Sequence, residues 1–379
     1  MSLLVPIWTI GGYVLPFVFV LSLLIFFHEL GHFLIGRWCG VKVDAFSLGL
    51  GPKIYGFNDR HGTHWQLAAL PIGGYVKFRG DTDPASLNEA ADAVPMPPHE
   101  RAVSFFAQKV WKRAVIVAAG PAANFLLAIA ILTGVFYLNG QAILSPAVES
   151  VDAGSAAEAS GVRPDDLIVS VGGTKIDSFD EMQRIVQAAG SRELAITVNR
   201  GGKLVDLTMI PERCKAAEAC GTLIPGLPGA AVKNRPEYWH IRHFDFIDSL
   251  NLGMSETWNA VAQAVGSLKG LLTGAESSVE LAGPIRIAEV SGAMAKLGLG
   301  PLLTLAAMLS ISVGLLNLFP IPLLDGGHLF YYALEAIRGK ALNERVQRFG
   351  CKVGVAFVTS LLFLATYNDV LRLTRQWTH

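Results

Sequence analysis

Charge is scarce in this sequence. Only 16% of its 379 residues are charged, whereas 51% are hydrophobic, and the mean hydropathy is +0.42. This balance is too apolar for an ordinary soluble enzyme and fits a multi-span membrane protein with a soluble insert. The formal net charge is zero, so a nucleic-acid partner is not expected. No charge-rich or low-complexity tract indicates a disordered tail.

Cysteine is also scarce, and none of the four residues forms a CxxC pair, so a cysteine-based zinc site is not expected. Cys39 and Cys351 fall at the ends of apolar runs and are interpreted as plain thiols. Cys214 and Cys220 are near enough in sequence to form a small disulfide in an oxidising compartment. The sequence alone leaves that pairing open.

Four apolar segments predict a multi-span α-helical membrane protein with four transmembrane helices. They cover residues 12–38, 114–138, 302–325 and 353–371. The first is expected to remain uncleaved, because it lacks a basic leader and a small-residue cleavage site. The connections between spans one and two and between spans three and four are rich in Lys and Arg, which places them on the cytoplasmic side. Both termini and the connection between spans two and three then lie outside.

Three segments between these spans have their own patterns. Residues 41–80 are rich in glycine and alternate in short runs, which predicts a membrane-associated β-hairpin loop on the cytoplasmic side. Either a re-entrant loop that dips toward the membrane or a simple soluble hairpin fits that pattern. Residues 238–300 are predicted to be an amphipathic helical region on the membrane surface.

Residues 146–212 are predicted to form a soluble α+β domain on the periplasmic side. A strand near 166–173, an amphipathic helix over 179–189 and a hairpin from 194 to 210 follow one another. This order resembles a PDZ domain of the kind found in bacterial envelope proteases. That family usually has glycine at the position of Asp165. Such a domain either binds a peptide as an added strand or acts as a spacer that restricts access.

The most informative motif lies inside the first span, where His28-Glu29-Leu30-Gly31-His32 interrupts an apolar run. Two histidines four residues apart share one face of a helix, so both imidazoles can reach one Zn²⁺ ion. Glu29 is placed to take a proton from a water on that metal. Ionisable side chains cost about 2 kcal/mol or more within a membrane, which favours a functional interpretation over a structural one.

Two histidines leave zinc without a third protein ligand. Asp325 is the first candidate, because it follows an apolar span, is flanked by Pro322 and Gly326, and falls on the same side of the membrane as the histidines. His328 and Glu335 are rival ligands.

Two asparagines lie in the spans near these candidate ligands. Asn317 either bonds a substrate or an oxyanion, or links two helices. Asn124, in the second span, is expected to hydrogen-bond between helices.

Together, the HELGH motif and the stretch Asn317-Leu-Phe-Pro-Ile-Pro-Leu-Leu-Asp325-Gly-Gly resemble the site-2 protease family of intramembrane zinc metalloproteases. The stretches Gly49-Leu-Gly51-Pro52 and Gly73-Gly74-Tyr75-Val76-Lys77, with the PDZ-like insert, narrow the resemblance to its bacterial RseP-type members.

The resemblance implies that His28, His32 and Asp325 bind zinc and that Glu29 is the general acid and base. It further implies that Asn317 and a re-entrant loop over about 43–78, with Gly49, Gly51, Gly73 and Gly74, bind substrate as an extended strand. The implied substrates are single-span proteins of the bacterial inner membrane, such as anti-sigma factors or signal-peptide remnants, cleaved by regulated intramembrane proteolysis. The best-known members carry two tandem PDZ domains, whereas this chain has room for one.

Two other functions fit parts of the sequence. A scaffold with a structural metal would bind exported proteins through its PDZ-like domain, but it would not need Glu29. A metal transporter would need polar residues along a path, and spans two and four offer few.

Overall fold

The computed structural model describes residues 7–80, 97–189, 192–210, 230–232, 236–273 and 283–377. Within these residues, Cys39 and Cys351 are free thiols. The predicted pairing of Cys214 with Cys220 lies outside the described residues.

The described part of the chain is mostly helical. Its α-helices are α1 (Ile7–Trp38), α2 (Pro98–Ala102), α3 (Val110–Asn139), α4 (Ala156–Ala159), α5 (Phe179–Ala189), α6 (Phe246–Thr273), α7 (Pro284–Leu297), α8 (Leu299–Leu318), α9 (Asp325–Arg338) and α10 (Glu344–Trp377). Its strands are β1 (Val43–Asn58), β2 (His64–Phe78), β3 (Gln141–Leu144), β4 (Val148–Val151), β5 (Leu167–Val171), β6 (Thr174–Lys175), β7 (Leu194–Arg200), β8 (Lys203–Met209), β9 (Ala230–Val232) and β10 (Trp239–Arg242).

The chain divides into two compact units, residues 1–137 with 245–379, and residues 138–244. In the first unit, α1, α3, α8 and α10 each contain an apolar segment long enough to cross a membrane. These helices overlap the predicted spans. Helices α1 and α3 begin earlier than the predicted starts at residues 12 and 114, and α10 extends beyond 353–371 at both ends. The third predicted span, 302–325, is divided, because α8 ends at Leu318 and Asp325 begins α9.

The helices of the first unit pack through small and branched side chains. Val20 and Leu24 of α1 are buried against Leu302 and Ala306 of α8. Helix α3 packs in the same way on α8, where Ala307 and Ile311 are buried. Since lipid competes for apolar contacts, close packing of this kind is what holds helices together in a membrane.

Strands β1 and β2 form a sheet that folds back on itself. Phe46 lies between Trp65 and Val76, and Trp65 in turn pairs with Phe57. The segments therefore follow one another across the sheet as 53–58, 64–68, 45–50 and 74–78. The bends use Gly49, Gly51 and Gly73, which have φ of 91°, 89° and 88°, a backbone conformation that favours glycine. The predicted β-hairpin loop is present, and segment 74–78 forms one outer edge of its sheet.

The second unit contains a four-stranded antiparallel sheet in the order β6-β5-β7-β8. Helix α5 covers the sheet, and Met182 of α5 is buried with Ile168 and Ile196. These elements match the predicted strand, helix and hairpin. The unit extends beyond the predicted domain of 146–212, because β3 pairs with β10. Strand β10 falls in a segment for which the sequence predicted helix.

Asp165 and Asp166 shape the turn that precedes β5. Asp165 has φ of 71°, a left-handed conformation that aspartate tolerates and glycine adopts freely. The left-handed conformation accounts for the glycine that PDZ domains usually have at this position. Asp166 is fully buried; it accepts hydrogen bonds from the Arg163 backbone N–H at 2.8 Å and from the Arg200 guanidinium at 2.7 Å.

We expect the stability of the second unit to fall in acid through Asp166. Burial raises the pKa of Asp166, but the hydrogen bonds from Arg200 and Arg163 outweigh burial and hold the pKa below its ordinary value of 3.8. A carboxylate with a depressed pKa stabilises the fold above its unfolded pKa, and that stabilisation is lost as the pH falls through 3.8 toward the folded pKa. Hydrogen exchange of the β5 and β7 amides, corrected for intrinsic rates, should accelerate from pH 6 to pH 3. Asp166→Asn should remove that acceleration; equal pH dependence in both proteins would contradict the assignment.

Candidate metal centre

Three side chains meet where α1 approaches the start of α9. The Nε2 atoms of His28 and His32 are 3.2 Å apart. Asp325 Oδ2 lies 3.2 Å from the first and 3.5 Å from the second. The histidines come from successive turns of α1, as their spacing predicted. The predicted partner from the distant DGG stretch completes the group.

The three atoms fit a tetrahedral zinc ion. Ligand atoms about 2.0–2.1 Å from zinc stand roughly 3.3–3.4 Å from each other, close to the distances between these atoms. Asp325 Oδ2 is buried and makes no hydrogen bond within the described residues. Three lone-pair atoms that face one another repel unless a proton or a metal cation lies between them. Three protein ligands leave one tetrahedral position for water, the arrangement of catalytic zinc sites.

Neither rival ligand belongs to the three-residue group. Glu335 accepts a hydrogen bond of 2.6 Å from the Arg113 guanidinium, which also lies over the Tyr332 ring. The ring of His328 lies near those of Tyr331 and Tyr332, and His328 is not part of the three-residue group. Of the sequence candidates, Asp325 alone joins the histidines.

Glu29 lies between the histidines and the sheet. A Cβ atom at Gly74 would stand 3.1 Å from Glu29 Cγ, so Gly74 of β2 lies directly beside the glutamate. The Glu29 carboxylate also accepts a hydrogen bond from the backbone of Val76. The outer edge of segment 74–78 therefore borders the metal centre.

Helix α3 contacts both histidines; the sequence predicted that Asn124 bonds another helix, but not that its partner is His28, nor the contacts of Ile116 and Gly120. The His32 Nδ1–H donates to the Ile116 carbonyl oxygen at 2.9 Å, and Asn124 Nδ2 lies 3.2 Å from His28 Nδ1. Between them, a Cβ at Gly120 would stand 2.3 Å from His32 Nε2. Residues 116, 120 and 124 are one turn apart and share a face of the helix. The signal in the sequence was the polar and small pair Gly120 and Asn124 within an apolar span.

The backbone before Asp325 is tightly folded. Leu323 has φ of 109°, a strained conformation for leucine. Cβ atoms at Gly326 and Gly327 would lie 2.2 Å from the Phe319 carbonyl oxygen and 2.4 Å from that of Ile321. Both glycines therefore pack directly against the backbone that precedes α9, where a larger residue would not fit.

The remaining predicted site residues are more dispersed. Asn317 lies in the last turn of α8, partly buried. Gly49, Gly51 and Gly73 lie at the bends of the β1–β2 sheet. Among the predicted substrate-binding glycines, Gly74 is the one shown in contact with Glu29.

Comparison with known sequences assigns this chain to a family. The sequence profile of peptidase family M50 matches residues 16–361. The chain belongs to peptidase family M50. A relative from Agrobacterium fabrum is 42% identical over 362 residues, which cover 95% of this chain and 96% of the relative. One from Rhizobium meliloti is 42% identical over 360 residues, covering 94% and 96%. Both are named "Putative zinc metalloprotease". Metalloprotease MmpA of Caulobacter vibrioides is 32% identical over 378 residues, covering 94% of each chain.

Membership of family M50 confirms the predicted site-2 protease relationship and the predicted enzyme class, a zinc metalloprotease. Zinc is its cofactor, and His28, His32 and Asp325 form the candidate metal-binding site. Four apolar helices and the family together indicate an integral membrane protein that acts on membrane-embedded proteins in a lipid environment.

Proposed function

We propose that this M50 protease is an intramembrane endopeptidase that cleaves the transmembrane segments of single-span membrane proteins. His28, His32 and Asp325 hold the zinc, and Glu29 is the general acid and base. The observation that carries the proposal is the meeting of the three ligand atoms within 3.5 Å, on two helices of a unit built from apolar spans.

Glu29 moves the protons of the reaction. Zinc, when bound, lowers the pKa of water and polarises the scissile carbonyl. The Glu29 carboxylate takes a proton from the attacking water and then gives it to the leaving amine. The side chains of His28, His32 and Asp325 are only partly buried, at 12%, 12% and 18% exposure, and the proposed reaction requires that water reach them.

Substrate binds as a strand along the outer edge of segment 74–78. A helix hides its carbonyl groups, so a transmembrane substrate must unwind before water can attack it. An outer strand offers N–H and C=O groups, here apart from the Val76 N–H that bonds Glu29, and such groups hold an extended chain by β-augmentation. Gly74 brings that edge beside Glu29, and the bends at Gly49, Gly51 and Gly73 place the edge there.

The sheet is suited to a re-entrant position in the membrane. Several of its large apolar side chains are exposed, namely those of Leu50, Ile54, Tyr55, Phe57, Leu67 and Leu70. Exposed apolar groups of this number favour contact with lipid over contact with water. The amide of Asn317, at the end of the helix before the Asp325 loop, is proposed to bond the substrate backbone or the oxyanion.

The site faces the cytoplasmic side of the bacterial inner membrane, and both termini lie in the periplasm, with four transmembrane helices in all. The excess of Lys and Arg in the connections between spans one and two and between three and four supports this orientation. Residues 146–212 form a PDZ-like domain in the periplasm, which either binds peptides or restricts access. The substrates are anti-sigma factors or signal-peptide remnants, as in regulated intramembrane proteolysis.

The proposal is tested with a single-span reporter protein reconstituted with the enzyme in vesicles of phosphatidylethanolamine and phosphatidylglycerol. Mass spectrometry of the products should place the cut within the apolar segment. Asp325→Ala should lower zinc affinity by at least about tenfold and abolish the cut, because the site loses its only charged ligand. His328→Ala is the matched control and should retain zinc. Cleavage only in the flanks outside the membrane would overturn the proposed specificity, and zinc loss in His328→Ala alone would overturn the ligand assignment.

A further inference from the structure

Asn124 is a buried polar side chain that the proposed reaction does not use. It lies on α3 within an apolar span and is completely buried. Its Nδ2 lies 3.2 Å from His28 Nδ1, and its Oδ1 has no hydrogen-bond partner within the described residues. An amide oxygen without a hydrogen bond in an apolar interior lowers the stability of the fold by about 1–3 kcal/mol, so an asparagine at this position needs a reason.

The reason follows from the tautomer of His28. Because Nε2 of His28 faces His32 and Asp325, this nitrogen is the one that ligates a metal. A neutral imidazole that ligates through Nε2 carries its proton on Nδ1 and needs an acceptor there. The oxygen of the Asn124 amide can accept that proton, whereas its NH₂ group cannot. Since oxygen and nitrogen of an amide are exchanged by a half-turn, the zinc-binding form has Oδ1 on His28.

We propose that Asn124 is a positioning residue that fixes His28 in its zinc-binding tautomer by accepting the Nδ1–H bond. The inference rests on the proposed zinc site and adds a residue that is not a ligand. The other histidine has a parallel arrangement, because the Ile116 carbonyl accepts from His32 Nδ1 at 2.9 Å. Helix α3 thus orients both imidazoles from residues two turns apart on one face.

The contacts separate this role from simple helix packing. The link between α3 and α8 at this point is made by the backbone of Asn124, whose carbonyl accepts from Ser310 Oγ at 2.9 Å. A side-chain substitution leaves that bond in place. The side chain itself reaches His28, so its loss should change metal binding more than helix packing.

Zinc affinity of the full-length protein in detergent, measured by competition with a fluorescent chelator, tests the proposal. Asn124→Leu keeps the branched shape of the side chain but has no acceptor, and it should weaken zinc binding by roughly 10–100-fold, as loss of an outer hydrogen bond to a ligating histidine does. Asn124→Asp can only accept, so it should hold zinc within a few-fold of the wild type or more tightly. If instead Asn124 acts by donating its NH₂ group, Asp and Leu will lose affinity alike, and the proposal is overturned.

The matched control is Thr133→Val, which removes a different buried polar group of α3, a hydroxyl that has no partner among the described residues. It should leave zinc affinity unchanged. If the leucine side chain prevents folding, Asn124→Ala removes the same acceptor without adding bulk. His28→Ala distinguishes a failure of the proposed zinc site from a failure of the role proposed for Asn124. Retained zinc in His28→Ala would refute the proposed site, whereas zinc loss there combined with wild-type affinity in Asn124→Leu would refute the role of Asn124 alone.

Discussion

Replacement of Glu29 by glutamine is expected to leave zinc bound while the rate of peptide-bond cleavage falls by about a thousand-fold. A general base contributes roughly 10²–10⁴-fold to a rate, and glutamine cannot take a proton from water. Glutamine has the shape of glutamate, and its carbonyl oxygen can still accept the hydrogen bond from the Val76 backbone. The three ligand atoms do not include Glu29, so the metal should remain. Single-turnover cleavage of the reporter and zinc content per chain are the two measurements.

Glu256→Gln is the control for this substitution. Glu256 lies on α6 and is not part of the ligand group, so its neutral variant should cleave at the wild-type rate. Cleavage by Glu29→Gln at that same rate would remove Glu29 from the mechanism. Loss of zinc in Glu29→Gln would instead make the glutamate a ligand and contradict the assignment of Asp325 as the third one.

The three candidate ligands could be predicted from the sequence because their positions depend on local geometry. Two histidines four residues apart share a helix face whatever surrounds them. The prolines before Asp325 end an apolar helix, and the structure indeed ends α8 at Leu318 and starts α9 at Asp325. The meeting of these two pieces was predicted from the side of the membrane on which each should lie, without any knowledge of how the helices pack.

The residues of α3 that contact the histidines could not be predicted from the sequence in the same way. Gly120 carries no chemical group, and its role depends on which turn of α1 lies against α3. Helices in lipid approach closely wherever small residues allow it, so Gly120 indicated a contact without indicating its partner. Asn124 was expected to bond another helix, and the helix proves to be α1 through His28. Such pairings depend on how each helix is rotated about its axis and shifted along its neighbour, and an apolar sequence specifies neither.

The β1–β2 sheet was predicted only in outline for a related reason. Alternating residues and glycines indicate strands and turns, but they do not tell which segments pair. Phe46 pairs on both sides, with Trp65 and with Val76. The long-range pairing places segment 74–78 at an outer edge beside α1, and the proposed substrate site depends on that placement.

Gly120→Ala is expected to remove most of the zinc, although residue 120 is not a ligand. A methyl group there would lie 2.3 Å from His32 Nε2 and 2.9 Å from His28 Cε1, well inside van der Waals contact. Helices α1 and α3 are in close backbone contact beside this position, since a Cβ at Gly31 would stand 2.3 Å from the Ala119 carbonyl oxygen. Moving the helices apart to admit the methyl group would break that contact. The imidazoles must therefore turn away from Asp325. We expect zinc affinity to fall by roughly two orders of magnitude, the upper range for a change that misorients ligating histidines.

Gly134→Ala is the matched control, since it introduces the same methyl group into the same helix at a position with no neighbour within 4 Å. Alanine favours a helix over glycine by about 1 kcal/mol, so this variant should melt at the wild-type temperature or above it and keep its zinc. Metal loss could come from a change in the helix propensity of α3 or from crowding of the histidines. Both variants raise the helix propensity, and only Gly120→Ala crowds the histidines, so the comparison distinguishes the two causes. Zinc bound to Gly120→Ala with wild-type affinity would mean that α3 stands farther from the imidazoles in the loaded enzyme. That result would also weaken the role assigned to Asn124, because Asn124 reaches His28 from the same face of the helix.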